Sequence, residues 1–124
     1  MEYFIVFVGA GIGGVLRYGI NVLALSLFGM GFPYGTLFIN IIGSALMGVV
    51  IGMFAGSHLS GQDTRLFLTT GILGGFTTFS TFSLETVTLW ERGQHIAAVG
   101  YVLTSVIVSI AALGLTLYIM RRWI

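Results

Sequence analysis

Two lines of polar side chains run through otherwise apolar sequence. Thr36, Asn40 and Ser44 fall four residues apart, as do Tyr101, Ser105 and Ser109, so on helices each set stacks along one face. The Asn40 amide has two N–H donors to offer an anion, and the hydroxyls could donate in sequence to an ion that has shed part of its water. The competing reading gives each of these groups a partner on a neighbouring helix or carbonyl. Phe76, Phe79 and Phe82 fall three apart, hence along one helical row. A phenyl ring is positive at its edge, so rings met edge-on could stabilise a small anion without a full charge to trap it. With ten Phe in the chain, core or lipid-facing packing competes with that role for any one ring.

The stretch from Gly71 to Ser83 places the pair Gly74-Gly75 and five hydroxyls in the middle of an apolar run. A helix is expected to break there. Irregular backbone at membrane depth survives only where protein or a polar cavity satisfies its N–H and C=O groups, and such breaks mark ion sites in transport proteins. The carbonyls from Gly74 to Thr77 are therefore candidates for holding a cation. The alternative is that Ser and Thr bond back to their own helix and merely bend it.

Arg17 and Glu85 are the ionisable groups well inside apolar segments, where a charge must pair or meet water. They could neutralise each other. Alternatively Arg17 lies near a wet vestibule and gathers anions, with Glu85 beside the path as a hydrogen-bonding or gating group. His58 and His95 lack a second ligand at metal spacing and read as exposed loop residues. Gly9-Ala10-Gly11-Ile12-Gly13-Gly14 matches a dinucleotide-binding pattern literally, but no βαβ unit or downstream acid accompanies it. Close helix packing through Gly9 and Gly13 explains it better. No Ser/His/Asp set, paired carboxylates or phosphate loop stands elsewhere, which argues against an enzyme.

What must position these residues is a membrane bundle. Of 124 residues, 56% are hydrophobic and 7% charged, at a mean hydropathy of +1.04. Five Arg and four acids cannot cover a soluble domain of this size, so much of the surface must face lipid. A net charge of +1 without a basic patch excludes a nucleic-acid partner. With no Cys there is neither a disulfide nor a thiolate site. Glu2 stands where a signal peptide would be basic, so the first apolar run is expected to remain as a span.

A helix needs about 20 apolar residues to cross the hydrocarbon. Four segments meet that test in a single domain, Tyr3–Phe28, Pro33–Ala55, Arg65–Trp90 and Ile96–Met120, with Pro33 expected in the first turn of its helix. Four spans put both termini and the second link on one side, with Arg65, Arg121 and Arg122 there against Arg92 opposite. That bias is feeble, and it allows insertion both ways, hence an antiparallel pair of identical subunits. Four helices leave little room for a sealed water path, so transport would favour an oligomer. Ser44, Gly48, Gly52 and Gly56 form a ridge that suits either a second subunit or packing within one.

The chain resembles the Fluc (CrcB) family of fluoride channels from end to end. The resemblance rests on Gly13-Gly14-Val15-Leu16-Arg17-Tyr18, on Gly35-Thr36-Leu37-Phe38-Ile39-Asn40-Ile41-Ile42-Gly43, and above all on Gly74-Gly75-Phe76-Thr77-Thr78-Phe79-Ser80-Thr81-Phe82-Ser83. It implies an all-α protein of the inner (plasma) membrane whose four transmembrane helices include a third broken at mid-membrane. It further implies an antiparallel dual-topology homodimer that passes fluoride passively and so gives fluoride resistance. Gly74 and Thr77 would lend carbonyls to a structural sodium ion. Phe79 and Phe82 would line the pore with their edges, Asn40 would donate its amide, and Thr36, Thr81, Tyr101, Ser105 and Ser109 would continue the path, with Glu85 along it and Arg17 at its mouth. A small multidrug-type proton-coupled exporter shares the architecture, but uses a carboxylate in its first span where this chain has Arg17.

Overall fold

A computed structural model describes residues 1–55 and 61–123, and these form helices joined by short links. The helix α1 runs Glu2–Phe28 and stops at Gly29, whose φ of 76° is a glycine conformation and whose N–H closes on the Leu25 carbonyl at 2.9 Å. The helix α2 runs Tyr34–Ala55. Pro33 sits just outside it, accepting the Leu37 N–H at 3.2 Å, rather than inside the first turn. The last helix, α6, runs His95–Trp123. These three are long and apolar enough to cross a bilayer, which makes the chain an integral membrane protein. His58 and Gly56 lie outside the described residues.

The segment expected as the third span is built from pieces. A short α3, Gln62–Leu66, passes into a π-helical stretch, Phe67–Leu73, and then α4, Gly74–Phe76. Three residues leave the helix before α5, Ser80–Glu91. The interruption falls at 77–79 and not at the glycine pair. Gly74 is helical (φ −63°, ψ −37°), whereas Thr77 is extended (φ −80°, ψ 160°).

The reason is that these glycines serve proximity. A Cβ on Gly75 would lie 2.8 Å from the Ala10 Cα, one on Gly9 2.8 Å from the Gly71 Cα, and one on Gly13 2.8 Å from the Phe76 nitrogen. The backbones of α1 and the π/α4 segment therefore touch directly, as small residues permit in membrane helices. On the other side of the bundle Gly48 lies against Thr116, and Gly52 against Met120. At these two positions the small-residue ridge of α2 packs within the chain, and Thr116 Oγ1 ties the pair by donating to the Ala45 carbonyl at 2.9 Å.

A compact cluster of Phe82, Leu89, Ala98 and Tyr101 joins α5 to α6, with Phe32 and Leu37 against it. Many large apolar side chains point outward, among them Phe7, Phe79 and Ile110. Such a surface demands lipid or protein cover.

Candidate ion-conducting site

The interruption at 77–79 is held by Asn40. Its Nδ2 donates to the Thr78 carbonyl at 3.0 Å, and its Oδ1 accepts the Thr78 N–H at 2.9 Å. A side-chain amide here replaces the missing helical partners of both backbone polar groups of Thr78. One Asn40 N–H is thereby engaged and a second remains. The Thr78 hydroxyl accepts the Thr81 N–H at 3.2 Å and so caps the start of α5. Thr77 and Ser83 donate back to Leu73 and Phe79 carbonyls at 3.0 Å each, so the bending role of hydroxyls coexists with a true break.

The carbonyl of Gly74 is released by the same geometry. The N–H groups within turn reach of it belong to Thr77 and Thr78, and these bond Leu73 O (3.0 Å) and Asn40 Oδ1 (2.9 Å) instead. Arg17 Nε donates to the next carbonyl, Gly75 O, at 3.2 Å, where a cation also suits the negative end of a helix. Arg17 and Glu85 bond different groups, so mutual pairing is not how each is satisfied. Glu85 Oε1 accepts from the Tyr101 hydroxyl at 3.0 Å.

Two cavities are lined by neighbours of Tyr101, Phe82 at one and Phe32 and Glu85 at the other. One, of about 380 Å³, is lined by Asn40, Ser44, Phe79, Phe82, Ser105 and Ser109 with other groups. The second, of about 310 Å³, takes in Asn21, Glu85, Thr88 and Arg92 under the 29–35 link. Tyr101 itself is fully buried and lines neither. Its ring packs on Phe82 (centroids 5.2 Å apart) and meets Phe32 edge-on at 5.4 Å, while its hydroxyl reaches Glu85.

Three buried oxygens, Thr36 Oγ1, Ser105 Oγ and Ser109 Oγ, have no hydrogen-bond partner among the described residues. Buried polar groups in native proteins are almost always satisfied. All three belong to the two polar faces picked out by spacing; Ser105 and Ser109 line the first cavity, whereas Thr36 lines neither. The structure separates the aromatic row, however. Phe82 is 9% exposed and Phe79 77%, with ring centroids 5.5 Å apart. Phe76 is buried beneath Gly43, out of the row, because the interruption rotates it away from the other two. Thr81, partly buried in the first turn of α5, lines neither cavity.

Asn21 and Arg92 were missed by spacing arguments. Asn21 follows Arg17 by four residues on α1, and Thr88 and Arg92 follow Glu85 by three and seven on α5, so shared faces were the signal available. His95 is exposed and stacks on Trp90 at 4.0 Å, with no metal-binding group of His, Cys, Asp or Glu among the described residues.

Three membrane-length apolar helices define an integral membrane protein. A family profile described as "CrcB-like protein, Camphor Resistance (CrcB)" matches residues 4–117, and the chain belongs to that family. It is 54% identical over 124 residues to a protein of Granulibacter bethesdensis named fluoride-specific ion channel FluC, covering 100% of this chain and 98% of the relative. Proteins of the same name from Methylobacterium nodulans (56% over 119 residues, 96% and 95% covered) and Rhodopseudomonas palustris (49% over 121, 98% of each) are similar along their whole lengths.

Proposed function

We propose that this protein is a fluoride-selective channel of the inner membrane that lets cytoplasmic fluoride leave by passive electrodiffusion and so confers fluoride resistance. The observation that carries the reading is the run of unpartnered hydroxyls at Thr36, Ser105 and Ser109, in a chain whose full-length relatives are named fluoride-specific ion channels. This places it with transport proteins rather than enzymes.

A small hard anion gives up hydration only if donors replace it closely. The edges of Phe79 and Phe82, the remaining Asn40 N–H and the three hydroxyls are weak dipoles in sequence, able to replace water without holding the ion. Thr81 is assigned to the same path and Arg17 to its mouth. Neutral HF crosses lipid and dissociates in a less acidic cytoplasm, which traps the ion. An interior-negative potential then drives an anion outward by about 2.3 kcal/mol per 100 mV, so no pump is needed.

In this reading the pieces from Gln62 to Glu91 make a fourth transmembrane helix broken at mid-membrane, and two copies associate antiparallel. Supporting that, Phe79 is 77% exposed on one chain, and a ring that lines a pore needs a facing wall. Gly74 and Thr77 fit a sodium ion, since the break frees the Gly74 carbonyl and hard oxygen donors suit a hard cation. When bound, the ion would supply a fixed positive charge that ties the two breaks together. The exporter alternative lacks its first-span carboxylate, for Arg17 stands there bonded to Gly75.

Fluoride efflux from liposomes holding the purified protein tests the proposal. Fluoride should leave rapidly while chloride is retained. Equal passage of both ions, or drug-coupled proton movement without fluoride flux, would overturn it.

A further inference from the structure

We propose that the cavity under the 29–35 link is an antechamber for a hydrated anion, in which Arg92 sets the attraction and the Asn21 amide gives a first neutral donor. The inference rests on the channel reading and adds to it an entry site. Glu85 and Thr88 line this cavity from one face of α5, and Arg92 lines it from the turn that caps the helix. Seven residues at 1.5 Å rise set Arg92 about 10 Å from Glu85 along the axis. Arg92 is exposed at the end of α5, just before the Gly93 turn, whereas Glu85 is half-buried against Tyr101.

Charge decides what such a space attracts. Glu85 and the negative end of α5 both oppose an anion. The Tyr101 hydroxyl engages one Glu85 oxygen, and Arg92 is the positive charge among the residues lining the cavity. Glu91, its neighbour in sequence, does not line it. The volume of about 310 Å³ equals roughly ten waters at about 30 Å³ each, so an anion can enter with its hydration intact. On the channel reading, discrimination between halides therefore belongs to the donors around Asn40 and Phe82, and capture belongs to Arg92.

The test is fluoride efflux from zwitterionic-lipid liposomes carrying wild type, R92Q, R92K or R92E at ionic strengths of about 0.01 M and about 1 M, where charges are screened over about 30 Å and about 3 Å. At low ionic strength R92Q should be about threefold slower than wild type, R92E slower still and R92K close to wild type, in keeping with modest electrostatic steering. At high ionic strength the four should converge. Equal rates for R92Q and wild type at low ionic strength overturn the inference, and so does an equal slowing at both, which marks a structural role. Wild-type flux that ignores ionic strength overturns it without any variant. Absence of wild-type fluoride flux altogether would instead refute the channel reading.

Discussion

Asn40 and Thr78, 38 residues apart, exchange two hydrogen bonds of 3.0 and 2.9 Å, so one side chain does for the N–H and C=O of one residue what helix turns do elsewhere. Asn40 also lines the cavity of about 380 Å³. On the proposed reading, structure and conduction meet in one residue.

Replacing Asn40 by Asp keeps an acceptor for the Thr78 N–H, removes the donor to the Thr78 carbonyl, and sets a negative charge in the route. Fluoride efflux should fall by more than about tenfold, since even about 1.4 kcal/mol of repulsion is a factor of ten. Thermal unfolding in detergent should also shift down, by about 1–3 kcal/mol for the orphaned carbonyl. Unchanged flux would mean that the ion does not pass Asn40.

The two rings proposed to line the pore should separate stability from transport. Phe82 is buried against Tyr101, so Phe82→Ala should destabilise the fold by about 3–5 kcal/mol. Phe79 is exposed on the single chain, so Phe79→Ile should leave unfolding of the protomer nearly unchanged while flux drops. Parallel measurement of melting and efflux decides it.

Removing the unpartnered hydroxyls should slow flux at little structural cost. Ser105→Ala and Thr36→Val delete buried oxygens with no hydrogen-bond partner among the described residues, so thermal stability should hold or rise slightly. If either variant melts much earlier with transport intact, the hydroxyl is structural.

Gly75→Ala and Gly13→Ala should be among the most damaging small changes, because the added methyl meets backbone and relief needs the helices to part, at about 1–3 kcal/mol or more. Gly14→Ala, with nothing within 4 Å, should be tolerated. Yield and melting of the three variants give the comparison.

If a sodium ion occupies the Gly74 and Thr77 carbonyls, exchanging sodium for a large organic cation should lower the melting temperature in detergent, and added sodium should restore it. Melting that is indifferent to sodium would remove the ion from the account.

Much of this arrangement could be read beforehand. The limits of the three long helices fall within three residues of the apolar runs, and the polar faces through Thr36 and Ser105 emerge as the unsatisfied seam. Gly9 and Gly13 pack as expected. The site of the break could not be read, because a glycine that permits close approach is the same letter as one that permits a kink. Gly74 and Gly75 look equally suited to both, and the contact of Gly75 with Ala10 shows that close approach applies there. The partners of Arg17 and Asn40 were hidden for another reason. They are carbonyls and amides of residues 58 and 38 positions away, and a peptide group has no signature in side-chain spacing.

The glycine seam binds α1 to the π-helical stretch and α4, while the aromatic cluster binds α5 to α6. Each assembly is held by its own contacts, and the chain between them is three residues long and pinned by Asn40. On the proposed reading, the joint between the two halves of the chain is also where the ion would pass.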